Sequence, residues 1–375
     1  MRNGKLKMLR IAMTYPRDNA PGIGLHAYYY SMYSDYEEMI LTIKRDGVMP
    51  DNREGVKVIE IEAENIQLGK YNDRVRKRAV CFIKKIWGQY IFLRKSKRYI
   101  DGFKPDIVHV FSPIPVLCGI YARRKFHSKI VMSLHGSDTL RMEKVKFLAK
   151  LLSIPDAVVT VGGKEELKLP DVKMKTPITY IGNGVDLNVF KNYSLERRKQ
   201  FIHVANLRWQ KGQRYLIEGF AQFQKNHRDY KLVIIGDGEE KENLKELCKE
   251  KNLLDAVRFL GTCGREEIAG ELNLSQAFVL TSVTEGFPKV IIEAMATGTP
   301  VISSDVGNIK NVVCDSGIIF PPKNSKEVCK AMEKIVDFTE WEICSKRAER
   351  YAQQYSWSAV VGRLSKVYKS LLEDI

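Results

Sequence analysis

The sequence predicts an α/β protein made of two Rossmann-like domains, each a parallel sheet with helices on both faces, opposed across a central cleft. Three observations lead there. Short apolar runs alternate with helical stretches along the chain, the pattern of parallel strands joined by crossover helices. The alternation comes in two sets, separated by a lapse in apolar patterning between Val185 and Tyr193. A length of 375 residues also exceeds what one ordinary hydrophobic core accommodates.

The first set of strands is expected at Met8–Thr14, Met39–Ile43, Val56–Ile61, Asp106–Phe111, Lys129–Leu134, Ala157–Val161 and Ile178–Ile181. The second is expected at Phe201–Ala205, Lys231–Ile235, Val257–Leu260, Ala277–Thr281 and Pro300–Ser303. These place an amino-terminal domain at 1–187, a second domain at 188–355, and a helix over 356–375 that follows Tyr355-Ser-Trp357. No internal repeat is visible. The opening MRNGKLKMLRIAMTYP has basic residues and then an apolar run that ends at Pro16. That run is too short for a signal peptide and lacks a small-residue cleavage site, so it reads as the first strand.

A hydrophobic content of 44% with 28% charged residues is that of a folded soluble protein. No stretch approaches the roughly 18 apolar residues that would suggest a membrane-spanning helix. The seven cysteines are scattered, with no C-x-x-C, and read as reduced thiols of a cytoplasmic protein, with neither a disulfide framework nor a zinc site. The formal charge of +16 favours phosphates, nucleic acid or an anionic membrane surface as partner. No helix-turn-helix, zinc-finger or RNP-type motif supports nucleic acid, which is therefore not expected.

The basic excess concentrates between residues 70 and 98, where Lys70, Arg74, Arg76, Lys77, Arg78, Lys84, Lys85, Arg94, Lys95, Lys97 and Arg98 face a single acid, Asp73. Apolar residues from Val75 to Leu93, Trp87 among them, follow helical spacing. Such a helix suits an anionic lipid surface on the inner face of a membrane. It equally suits a helix that packs its apolar face on the core and solvates its charges.

The most informative stretch is Thr281–Gly307, TSVTEGFPKVIIEAMATGTPVISSDVG. A strand runs into a turn, and a helix follows from about Lys289 to Thr297, with Pro288 read as its first helical position and Gly298 just past its end. Strand–turn–helix units leave backbone N–H groups and the positive end of the helix dipole aimed outward, which makes an anion site. Glu285 before the helix and Glu293 one turn inside it would flank a phosphate there, and carboxylates accept hydrogen bonds from sugar hydroxyls. The spacing suits a nucleotide sugar. Any α/β domain also contains such units with surface glutamates.

The full string EGFPKVIIEAMATGTPVISS resembles the donor-site signature of retaining glycosyltransferases of family 4, the group 1 glycosyl transferases, whose fold is GT-B. The resemblance implies that Glu285 contacts the transferred sugar and Glu293 the ribose, with Gly286, Phe287, Pro288, Lys289 and Val290 around the donor. It extends along the chain. In Asn19-Ala-Pro-Gly22-Ile-Gly24, Gly24 and less closely Gly22 match a glycine loop under the donor phosphates, although that family often has a Gly-Gly pair. His135-Gly-Ser-Asp138 is similar to H-G-x-D, whose histidine steadies the developing cationic carbon. Asn183-Gly-Val-Asp186 is similar to a hinge segment. Arg208 and Lys211, in R-x-x-K-G, match the paired phosphate cations, and Leu260, Gly261 and Thr262 match a segment facing the nucleobase. Asn308 and Lys310 depart from the usual pattern after Gly307, and the resemblance gives the final helix a return to the first domain.

The implied activity is transfer of a sugar from a UDP- or GDP-sugar to an acceptor hydroxyl, on a lipid-linked or cell-surface saccharide. It needs no cofactor beyond that substrate and no metal, since no Asp-x-Asp pair is present to bind one. His135, Arg208, Lys211 and Glu285 are the expected catalytic residues. A nucleotide-sugar epimerase of the same fold, or a non-catalytic membrane-surface protein, are the alternatives.

Overall fold

The computed structural model describes residues 5–16, 24–44, 54–62, 75–113, 115–135, 151–162 and 176–373, with 75–86 as backbone alone. Gly22, Lys70, Asp73, Arg74 and the segment Gly136–Asp138 lie outside the described residues, as do the side chains of Arg76, Lys77, Arg78, Lys84 and Lys85. The described chain forms two compact units, one reaching to Ile181 and resuming at Val361, the other spanning Gly182–Val360.

The first unit contains β1 (Lys7–Ile11), α1 (Leu25–Met32), β2 (Glu37–Ile43), β3 (Val56–Ile61), α2 (Val75–Phe103), β4 (Ile107–Val110), α3 (Val116–Phe126), β5 (Lys129–Leu134), β6 (Ala157–Thr160) and β7 (Ile178–Tyr180). Its seven strands pair in the order β3-β2-β1-β4-β5-β6-β7, and every pairing is parallel. A parallel sheet covered on both faces needs apolar residues at successive positions, and β4 and β6 are buried throughout. The first strand ends earlier than the apolar run predicts. Ala12 and Tyr15 remain buried against Ala27 and Ile40 after the ladder stops, so burial outlasts strand geometry there.

The second unit contains β8 (Arg198–Val204), α4 (Gln213–Phe223), β9 (Lys231–Ile235), α5 (Lys241–Glu250), β10 (Val257–Gly261), α6 (Arg265–Leu274), β11 (Ser275–Leu280), α7 (Lys289–Ala296), β12 (Val301–Ser304), α8 (Ile309–Val313), β13 (Gly317–Phe320), α9 (Ser325–Ile335) and α10 (Phe338–Ala352). The six strands run in the order β10-β9-β8-β11-β12-β13, again all parallel. Sequence patterning misses β13 because only three apolar residues stand between Ser-Gly and Pro-Pro and look like a loop. Large apolar clusters pack this sheet, one centred on Phe201, Phe220 and Phe223, the other on Ile291, Ile292 and Met295.

The last helix, α11 (Trp357–Glu373), supplies its later residues to the first unit. Tyr368 sits there beside a buried charge that nothing in the sequence announces. Arg10 of β1 is fully buried and donates to both carboxylate oxygens of Glu38 on β2, at 2.6 and 3.0 Å. It also donates to the Tyr368 hydroxyl at 2.9 Å and the Tyr30 carbonyl at 3.1 Å. That hydroxyl lies 2.6 Å from His109 Nδ1, and His109 Nε2 lies 2.7 Å from Ser133 Oγ. Burial works against the guanidinium charge, but Glu38 outweighs it and the pKa of Arg10 rises. Burial, with the Arg10 field behind it, holds His109 well below its ordinary 6.5 and therefore neutral.

A buried charge is tolerable only with its partner in place. Arg10→Met strands the Glu38 carboxylate and should cost about 3–5 kcal/mol in urea unfolding. Replacing Glu38 by Met as well should recover most of that loss, since the uncompensated charge is then gone.

Candidate functional site

The site in the second unit is built from β11, the turn after it and α7. Pro288 stands at the N-cap with φ −73° and ψ 109°, one residue ahead of the first-helical position expected for it, and Lys289 opens the helix. The ring presets a φ that serves either place. Ile291 N–H bonds back to the Pro288 carbonyl, but among the described residues no acceptor takes the amides of Gly286, Phe287, Lys289 or Val290. Those amides and the helix dipole give this end a positive potential. Ile291, Ile292, Ala294, Met295 and Ala296 are buried, which leaves Lys289, Val290 and Glu293 on the outward side. The far end is capped by Arg197, which donates to the Thr297 carbonyl at 2.7 Å and to Thr299 Oγ1 at 2.8 Å. Burial draws this guanidinium down to about 10, yet its charge suits the negative end of a helix dipole.

The loop carrying the two predicted cations is fastened to the same turn. Gly212 has φ +64°, and a Cβ there would overlap the Thr281 carbonyl oxygen, so this approach requires glycine. Thr281 Oγ1 donates to the Gly212 carbonyl at 2.9 Å, and Val283 N–H donates to the Gln210 carbonyl at 2.8 Å. Lys211 Nζ consequently reaches Glu285 Oε1 at 2.5 Å, and Ser282 Oγ donates to that same oxygen at 2.6 Å. Glu285 is thus nearly buried and paired, at 8% side-chain exposure, while Lys211 keeps 26%. Arg208 is exposed and has no ion-pair partner among the described residues.

Glu293 and Lys289 perturb each other in a partly desolvated setting. Burial raises Glu293 above its ordinary 4.5, against the opposing fields of Lys289 and Arg265. Burial lowers Lys289 from 10.5, with Glu293 opposing and Arg265 reinforcing the drop. Arg265 is a residue that motif reading missed. It pairs with Asp186 at 3.4 Å and lies over the Phe190 ring at 5.6 Å, which ties the Asn183–Asp186 segment to the Glu293 field. Leu260, Phe287 and Val290 belong to one apolar cluster, and the Phe287 ring stands 6.0 Å from that of Tyr355. Gly261 ends β10 in a left-handed conformation, its carbonyl taken by Gly236 N–H, and Thr262 is exposed.

In the first unit, Gly24 caps α1 with φ +78°, and a Cβ there would fall 2.7 Å from the Thr14 carbonyl oxygen. His135 follows β5 directly. Its ring centroid is 4.3 Å from that of His26, in the first turn of α1, and it stacks nearly parallel on Phe111 at 6.4 Å. These residues gather at the carboxyl ends of the neighbouring strands β1, β4 and β5, where ligands of parallel sheets collect. Sequence reading gave His26 no role; its place two residues after the Gly24 turn was the available signal.

Residues 186–354 match the family described as Glycosyl transferases group 1, and residues 49–189 match Glycosyltransferase Family 4. The chain belongs to glycosyltransferase family 4. It is 29% identical over 291 residues to N-acetyl-alpha-D-glucosaminyl L-malate synthase of Bacillus anthracis, covering 72% of this glycosyltransferase and 76% of the relative. Among solved structures it resembles sucrose-phosphate synthase from Thermosynechococcus elongatus, with TM-score 0.78 and 20% identity over 99% of this chain and 100% of that one. It also resembles Anabaena HepE in complex with UDP-glucose, with TM-score 0.66 and 17% identity over 97% and 100%. At these identities the structural likeness establishes the GT-B fold alone. Among the described residues no helix is long and apolar enough to cross a membrane.

The electrostatics of α7 give a stability signature. With its folded pKa raised, Glu293 holds a proton in the native state where the unfolded chain has released it. Its contribution is therefore most favourable below pH 4.5 and is lost as pH rises through the folded value. Glu293→Gln should accordingly melt at a higher temperature than the parent at neutral pH, the difference vanishing in scans below pH 4.5.

Proposed function

We propose that this glycosyltransferase moves a sugar, with retention of anomeric configuration, from a UDP- or GDP-sugar to an acceptor hydroxyl of a lipid-linked or cell-surface saccharide. One observation carries the reading: unpaired amides at the start of α7 stand beside the Lys211–Glu285 pair, with Glu293 one turn further on. A diphosphate on those amides has its negative charge met by the helix end, Lys211, Lys289 and Arg208. Both hydrogen bonds recorded on the Glu285 carboxylate end on Oε1, leaving Oε2 to accept from a hydroxyl of the transferred sugar. Glu293, whose pKa burial raises, accepts hydrogen bonds from the ribose hydroxyls. Leu260, Gly261 and Thr262 border the base, and the HepE complex with UDP-glucose agrees with a uridine donor.

In the reaction, the bond from the anomeric carbon to the diphosphate oxygen breaks and its electron pair leaves on that oxygen. Arg208, Lys211 and the α7 amides stabilise the departing charge. The acceptor oxygen bonds the carbon from the same face, and its proton passes to the departing phosphate oxygen. His135 takes the role the family resemblance implies, steadying the cationic carbon, and the loop capped by Gly24 borders the acceptor. These cations and amides do the work a metal would otherwise do. The basic stretch 70–98 supports a peripheral position on the inner face of the cell membrane, where lipid-linked acceptors reside.

Glu285→Ala should lower kcat about a hundredfold or more, with UDP affinity by calorimetry largely kept. Proton NMR of the product should show the donor's anomeric configuration, and activity should survive EDTA. Full activity in the variant, an inverted product, or UDP bound away from α7 in a soaked crystal would each defeat the reading.

A further inference from the structure

In the first unit, β2 and β3 end side by side at Ile43 and Ile61. The residues that follow, Lys44 and Glu62, form an ion pair at 2.8 Å. The later turns of α2 lie against β3, and here opens a cavity of about 670 Å³ lined in part by Lys44, Glu60, Glu62, Arg94, Lys95 and Arg98. Among the described residues four cations share this wall with two carboxylates. Arg98 donates to the Tyr99 hydroxyl at 2.5 Å and lies over that ring. Among the described residues neither Arg94 nor Lys95 has an ion-pair partner, although the Lys95 field joins Lys44 in lowering the Glu62 pKa.

Arg94 and Arg98 stand one turn apart, where like charges repel on a helix. Packing alone would not select that arrangement, since both side chains are exposed and neither fills the core. Paired guanidinium groups match the oxygens of a phosphate, and ammonium groups add point charge. The same face of α2 carries Trp87 and Tyr90, 62% and 50% exposed, their rings 5.7 Å apart, within two turns of Arg94. Large amphipathic rings left in solvent beside phosphate-binding groups suit the headgroup level of a lipid surface.

We propose that the cavity between the ends of β2 and β3 and the later turns of α2 is a phosphate-binding site, taking a dianionic phosphomonoester or diphosphate. The ligand comes either from a lipid headgroup or from a soluble phosphorylated molecule. The proposal gives the 70–98 stretch a defined ligand; it rests on the membrane-facing reading of that stretch only for the first source, and on the donor site for neither.

The test titrates inorganic phosphate into the full chain by calorimetry, with saturating UDP present to occupy the α7 site. Sedimentation with phosphatidylcholine vesicles, alone or containing phosphatidic acid or, as a phosphodiester control, phosphatidylglycerol, is measured in parallel. Phosphate should bind the parent, and R94E/R98E should weaken that binding about tenfold or more while UDP affinity and melting temperature stay at parental values. Co-sedimentation that depends on phosphatidic acid, exceeds that with phosphatidylglycerol and is lost in R94E/R98E assigns the lipid source. Phosphate binding without co-sedimentation supports the site with a soluble ligand and defeats the membrane reading. The proposal is overturned if the parent does not bind phosphate, if R94E/R98E binds it equally, or if UDP affinity falls together with phosphate affinity.

Discussion

The candidate donor site depends on one backbone contact, the approach of the 208–212 loop to the end of β11. Only a residue without a side chain lets the Gly212 backbone come this close to the Thr281 carbonyl. Two hydrogen bonds then lock loop and turn together, which brings the Lys211 ammonium to Glu285. The short pairing with Glu285 is therefore a consequence of main-chain geometry more than a cause of it. A flexible lysine normally loses much rotamer freedom in holding one contact, but here neighbouring backbone has already restricted it. Preorganisation of this kind lets fixed charges meet a reacting diphosphate without first rearranging.

The charges around α7 are not arranged for stability. Glu293 is partly desolvated with no hydrogen-bond donor among the described residues, and burial pulls Lys289 below its ordinary range as well. Structural side chains with this much desolvation are usually paired, as Arg10 and Glu38 are. Cost concentrated at the end of one helix, beside unpaired amides, is what a ligand-binding surface tolerates. The Arg10 cluster shows the opposite solution, in which nearly every donor is met inside the protein.

Much of the fold was legible because parallel strands buried on both faces leave apolar runs with few interruptions. The limits of that signal are visible at particular residues. Ala12 and Tyr15 are as buried as strand residues without being in the ladder, and β13 is too short to stand out from its turns. The strand–turn–helix from β11 to α7 was legible because the proline and glycine at its turn and the glycine past its end mark the boundaries. Arg10, Arg197 and Arg265 were not legible at all. A lone arginine carries no local pattern, and its importance is set by partners 28, 100 and 79 residues away. His26 was missed for the same reason, since its neighbour His135 lies on a distant strand end.

The Arg10–Tyr368 contact spans 358 positions of sequence. Synthesis makes all seven strands of the first sheet, the last ending at Tyr180, well before it reaches Tyr368, so that sheet waits for one donor–acceptor group of its interior. Completion of that unit is thus tied to arrival of α11. A nascent chain stalled short of α11 holds a sheet whose strands are all present and whose buried charge is still incompletely solvated by protein.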